Sequence, residues 1–177
     1  MRIAATRLVL ILASVAPAAL AAQWRVSAEP ASAGRAPTVT AVAHEASDSA
    51  AGDETPVSLV VRCVGRLLDA FLTTRDELDS DTNGDVRVRV QGDSARPRDQ
   101  RWLATKSNTG AFIGTPDLRE LVQRGVLRSH ELRITAVTRR RGRVTYVFRV
   151  DGFLPALDAL RDACPNDRAG ALAVPGA

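Results

Sequence analysis

Cys63 and Cys164 are the only cysteines in a chain of 177 residues, and they stand near the two ends of its most regularly patterned stretch. Their meaning depends on where the chain is delivered. It opens MRIAATRLVLILASVAPAALAAQW, with Arg2 and Arg7 as a short basic region and an apolar run over Leu8 to Val15. Ala19, Leu20 and Ala21 follow as a small-x-small cleavage pattern, so residues 1–21 read as a secretory signal peptide. An uncleaved single-pass anchor is the alternative, but the apolar run falls short of the ~20 residues a membrane span needs. No cysteine lies beside the cleavage point, which argues against a lipid anchor there. The expected location is periplasmic or secreted, with no transmembrane span after signal cleavage.

In an oxidising compartment an even pair of cysteines at such positions is expected to close a disulfide. A metal pair or a redox thiol would need partners. The chain has no CxxC, and His44 and His130 are its only histidines. A closed loop of ~100 residues stabilises a fold by roughly 4–5 kcal/mol in the chain-entropy picture.

Residues 22–56 are rich in Ala, Ser, Pro and Gly and lack a sustained apolar period, so they read as a flexible linker. Residues 166–177 read as a disordered tail. Residues 57–165 have the length of one small domain, without internal repeats. The formal net charge of +4 is carried almost wholly by arginine, Lys106 being the sole lysine. For an exported chain this excludes nucleic acid as the expected partner and leaves weak attraction to anionic envelope surfaces.

Within the domain, Val57, Leu59, Val61 and Cys63 alternate as a strand does, and RLLDAFLTT continues with strand-compatible residues. Val86, Val88 and Val90 alternate with Arg87, Arg89 and Gln91. A short strand is expected around Trp102 and another in GAFIG with Phe112 buried. The period then changes. TPDLRELVQRG offers Thr115 as N-cap, Pro116 at the first helical position, Asp117 at the positive end of the dipole and Gly125 as the stop. Leu118, Leu121 and Val122 share one face of this predicted helix. HELRITAVTRRRGRVTYVFRV is a hairpin turning at Gly142. FLPALDALRDAC is a second helix, with Pro155 in its first turn and Leu154, Leu157, Leu160 and Cys164 on one stripe. The sum is an α+β domain: a small antiparallel sheet, two short packed helices and one disulfide.

Three groups of residues bear on function. DSDTNGD resembles the front of a calcium loop, with Asp79, Asp81 and Asn83 at alternate positions, Gly84 at the turn and Asp85 closing the run. The position that needs a bidentate Glu is Val90, and no helices flank the run, so it is not an EF-hand. A weak calcium loop of another kind and an ordinary Asp/Asn/Gly hairpin turn both remain as readings. Arg139, Arg140, Arg141 and Arg143 crowd the second hairpin's tip. They could grip a phosphate or carboxylate, or simply be a solvated end whose charges discourage edge pairing. Catalysis has no recognisable nucleophile motif, and His130 or carboxylates such as Asp99 and Asp117 do not form one by spacing. Trp102, Phe112, Tyr146 and Phe148 are assigned to the core.

The order of VVRC, VRVQGDSARPRDQRW, AFIG, HELRITAV, VTYVFRVDGF and ALRDAC resembles the periplasmic accessory proteins associated with type VI secretion, the VasI/TagO-like family. The resemblance spans roughly residues 57–164. It implies the same α+β domain, the Cys63–Cys164 pair and a binding role beside an envelope or secretion-apparatus protein, and it brings no catalytic residues. The expectation is therefore a non-catalytic exported binding or accessory protein without a cofactor. A calcium-dependent envelope-binding module, or a hydrolase or inhibitor lacking a known motif, are the alternatives.

Overall fold

A computed structural model of the chain describes residues 24–30, 38–44, 56–65, 67–93 and 95–165. The signal peptide and tail expected at 1–21 and 166–177 lie outside these residues. Among the described residues, nine antiparallel strands form one sheet. In chain order they are β1 (Trp24–Glu29), β2 (Thr38–His44), β3 (Ser58–Val64), β4 (Leu67–Thr73), β5 (Asp85–Gly92), β6 (Arg98–Ala104), β7 (Gly110–Phe112), β8 (Glu131–Thr138) and β9 (Gly142–Arg149). The spatial order is β1-β2-β3-β4-β7-β6-β5-β8-β9. Between β7 and β8 runs α1 (Thr115–Glu120), continued by a π-helical segment (Leu121–Val126), and α2 (Phe153–Ala163) ends the domain. The α+β class holds, with a larger share of β than of helix.

Strand period 2 sorts the sheet into two faces. Leu59, Val61, Ala70, Leu72, Val86, Val88, Trp102, Leu132, Ile134, Tyr146 and Phe148 all point to one side and are buried. The sheet curls so that β9 approaches β2, and the two helical pieces cover its concave face. α2 packs on β1, β2 and β3 through Phe153, Ala156, Leu157 and Leu160, while the π segment packs on β5 and β8. Cys63 on β3 is disulfide-bonded to Cys164 at the end of α2, with Cα atoms 5.8 Å apart, as the cysteine positions led one to expect.

The expected linker 22–56 is the largest correction, because it supplies β1 and β2. Trp24 is 5% exposed and packs on Phe153 in a tilted arrangement with ring centroids 4.6 Å apart. Ala41 and Ala43 are fully buried beneath α2. Strands whose inward residues are alanines read as linker by composition, yet small side chains are what let a helix lie close to a sheet. Residues 31–37 and 45–55 of that stretch lie outside the described ones.

Smaller corrections follow from packing. Gly114, not Thr115, is the N-cap of α1, and its first turn carries Pro116. Gly125 does not stop the helix. The backbone continues through it with Leu127 N–H donating to Val122 O, an i→i+5 bond. Gly125 instead packs against β8, where a Cβ would stand 3.0 Å from Leu132 Cδ1. On α2, Leu154 faces solvent at 59% exposure and Phe153 takes the expected place in the core. Phe112 also lies outside the core. Ala111 and Ile113 are buried on either side of it, because the period places Phe112 on the convex face.

Candidate functional site

The two runs singled out by sequence, 79–85 and 139–143, are brought together. β4 and β5 do not pair, so Asp79–Asp85 is not a turn between neighbouring strands of the sheet. It is a small closed loop ahead of β5, sealed by a Ser80–Val86 bridge. Asp79 N–H donates to Val137 O, and Arg139 N–H donates to Glu77 O, which lashes the loop's approach to the β8–β9 hairpin. Arg139 pairs with Glu77 at 3.0 Å, and Arg141 pairs with Asp76. Arg140 and Arg143 have no ion-pair partner among the described residues.

Inside the loop Asp81 acts as a turn residue. Its Oδ1 accepts the N–H groups of Asn83 at 2.9 Å and Asp85 at 3.0 Å, and Gly84 takes a left-handed φ of +82°. The backbone N–H groups of Asp85 and Asn83 hold the Asp81 carboxyl below its usual range, and nearby Arg101 and Arg87 add to the effect. Two cations therefore already occupy the field of this carboxylate. Among the described residues no three His, Cys, Asp or Glu side chains group as a metal site.

Asp99, Asp117 and His130, the residues weighed for catalysis, stand in separate settings. Asp99 forms a two-pronged pair with Arg89 at 2.7 and 3.0 Å, which lowers its pKa. Asp117 is half-buried on α1 and raised by burial. His130 pairs with Asp151 at 2.5 Å at the surface. His44 meets Ser58 across strands at 2.9 Å, while the Ser58 hydroxyl donates to Pro56 O.

Two features escaped sequence reasoning because both depend on strand register. The first is on the convex face. Cross-strand neighbours Val42, Val60, Phe71, Phe112 and Leu103 form one continuous apolar row over five strands. Phe112 and Leu103 are 38% and 54% exposed, and Phe71 packs on Phe112 at 5.8 Å between centroids. Two residues along on β5 and β6, Arg87 and Arg101 face each other directly, and Arg143 extends that line beyond Val137. Like charges in direct opposition destabilise a sheet, and none of these three arginines has an ion-pair partner among the described residues. The VRVRV alternation shows two arginines on one face of β5; it cannot show what stands beside them.

The second feature is a cleft of about 640 Å³ between β5–β6 and the α1–π unit. Val90 and Leu121 contribute its apolar wall, and Arg96, Arg98, Arg124 and Arg128 line it. Gly92 closes one end against Ser129, whose hydroxyl fills the space a Cβ would need. The neighbouring turn is fixed by Asp93, which accepts the N–H groups of His130 at 2.6 Å and Glu131 at 2.8 Å.

Fold and surfaces together define a curled antiparallel β-domain with helical cover and a terminal disulfide staple, presenting a basic, partly apolar convex face. Among the described residues no helix is long and apolar enough to cross a membrane. The chain matches no protein-family model, no curated protein and no solved structure.

Proposed function

We propose that this is an exported, non-catalytic binding protein of the bacterial envelope, an accessory to a secretion apparatus of the type VI kind, that recognises a partner protein with its convex face. The observation that carries this reading is the row of half-buried Phe71 and exposed Phe112 and Leu103, beside Arg87, Arg101 and Arg143, which have no ion-pair partner among the described residues. A contiguous apolar patch with aromatic and arginine members is the composition of a recognition surface. The partner it fits is apolar at its centre and acidic at its rim. The signal sequence and the disulfide support an oxidising location. The order of sequence markers that resembles the type VI accessory proteins supports the apparatus.

The test is affinity capture from bacterial envelope extract, with calcium and with a chelator in parallel. The bait is the mature chain, either unaltered or carrying Phe112→Ser with Leu103→Ser, or Arg87→Gln with Arg101→Gln. A partner retained in both buffers and lost with both altered baits is expected. A partner held equally by the altered baits overturns the convex-face reading. Capture only with calcium transfers the role to Asp79, Asp81, Asn83 and Asp85.

A further inference from the structure

We infer that the cleft between β5–β6 and the α1–π unit is a separate site for a small organic oxyanion carrying two or more negative charges, such as a polycarboxylate or a phosphate ester. The charge balance of its walls is the first ground. Among the described residues Glu120 is the one carboxylate lining the cleft. Its Oε1 lies 2.7 Å from Arg98 and 3.8 Å from Arg124, ion-pair contacts without hydrogen-bond geometry. Arg96 and Arg128 have no ion-pair partner among the described residues. Arginines collected in a concavity concentrate anions there, and the planar guanidinium fork matches the two oxygens of a carboxylate or phosphate.

Gln100 is the second, independent ground. It is 6% exposed and lies at the base of the cleft. Its Oε1 accepts the indole N–H of Trp102 at 2.9 Å. Since the indole can only donate, the amide orientation is fixed and Nε2 must be the donor. That Nε2 has no hydrogen-bond partner among the described residues. Buried donors in folded proteins are nearly always satisfied, so a spare one on a residue that lines an arginine-rich cleft is consistent with an acceptor that enters it. The cleft's volume falls within the range of small-ligand sites, and Val90 with Leu121 would receive the ligand's carbon skeleton. The inference does not depend on the convex face, which is the opposite side of the sheet.

The experiment is titration calorimetry on the mature chain at low ionic strength, with citrate in one arm and glycerol 2-phosphate in the other. Saturable one-to-one binding of at least one is expected, and the stronger arm identifies carboxylate or phosphate as the preferred oxyanion. Replacing Arg96 and Arg128 by Gln, both exposed and outside the core, is expected to weaken that binding tenfold or more. Replacing Lys106 and Arg161 by Gln, both exposed and outside the cleft, is expected to leave it unchanged. Absence of binding in both arms, or equal weakening by both variant pairs, overturns the inference. Capture of a partner by the convex face with no anion binding removes the cleft site alone, and anion binding without partner capture removes the accessory reading alone.

Discussion

The indole N–H of Trp24 donates to the main-chain carbonyl of Val150 at 3.2 Å, joining the start of the first strand to the end of the last across 126 positions. The same indole packs on Phe153, so one side chain ties an edge strand to both β9 and α2. Trp24→Ala removes a buried aromatic and is expected to cost about 3–5 kcal/mol of stability. Trp24→Phe keeps the ring contact but forfeits the hydrogen bond, a loss nearer 1 kcal/mol. Urea denaturation of the two variants checks the difference; equal and negligible losses would show that β1 is not part of the cooperative unit.

The disulfide acts on the same region from the other side. Cys164 ends α2, Cys63 lies on β3, and the loop they close has a sequence separation of 101. Because α2 is also packed by Leu157 and Leu160, the cross-link mainly limits the unfolded chain. Replacing both cysteines by alanine is expected to lower stability by about 2–5 kcal/mol while the fold persists. A denaturation midpoint that does not move would remove the disulfide from the account of stability.

The contrast between these two features shows what the sequence could and could not reveal. The disulfide, the alternating strands around Val86–Val90 and the β8–β9 hairpin rest on local spacing and residue type, and were legible. β1 and β2 were not, because Ala41 and Ala43 carry almost no hydrophobic signal although α2 covers both completely. Phe112 was misplaced because a three-residue strand gives too short a run to fix its phase. The convex row and the cleft were invisible for a different reason. The β4–β7 pairing makes Phe71 a neighbour of Phe112 across the chain, and although β5 and β6 are consecutive, only their register sets Arg87 opposite Arg101 and only the packing of the α1–π unit closes the cleft.

Gly92 tests the closed end of the cleft. A Cβ at this position collides with Ser129 Oγ and comes within 3.2 Å of Ser129 Cβ. Gly92→Ala is therefore expected to destabilise the protein by about 1–3 kcal/mol through overpacking. Ser129→Ala in the same chain removes the colliding oxygen and is expected to restore most of the loss. A double-mutant cycle measures this coupling; additive effects would mean that the two residues do not meet.

His130 carries the pH dependence. Its hydrogen bond to Asp151, then the charges of Asp151 and Asp93, raise its pKa above the ordinary 6.5. A group whose folded pKa is raised binds its proton more tightly in the native state. Its stabilising contribution is complete below about pH 6.5 and is lost as pH rises through the elevated value. NMR titration of the imidazole is expected to show this upward shift, and Asp151→Asn to bring it down. Both groups are exposed, so the effect belongs to the proton equilibrium and should move the denaturation midpoint little. A native pKa at or below 6.5 contradicts the pairing.

The DSDTNGD loop supplies the last prediction. A calcium site needs carboxylate oxygens turned toward a common point, free to replace water around the ion. Here Asp81 Oδ1 is already committed to two backbone N–H groups, and Arg87 and Arg101 lie near enough to stabilise its negative charge. Binding calcium would require breaking the turn and overcoming the repulsion between the ion and both guanidinium groups. We therefore expect melting temperatures in millimolar calcium and in chelator to agree to within about 1 °C, since selective native-state binding would raise the value. Asp81→Asn retains a side-chain acceptor and should preserve the loop, whereas Asp81→Ala leaves the Asn83 and Asp85 amides to solvent and should loosen it, read as faster amide exchange at those two positions. A calcium-dependent rise of several degrees that disappears in Asp81→Asn would reverse the assignment, making the carboxylate a ligand and the turn only its scaffold.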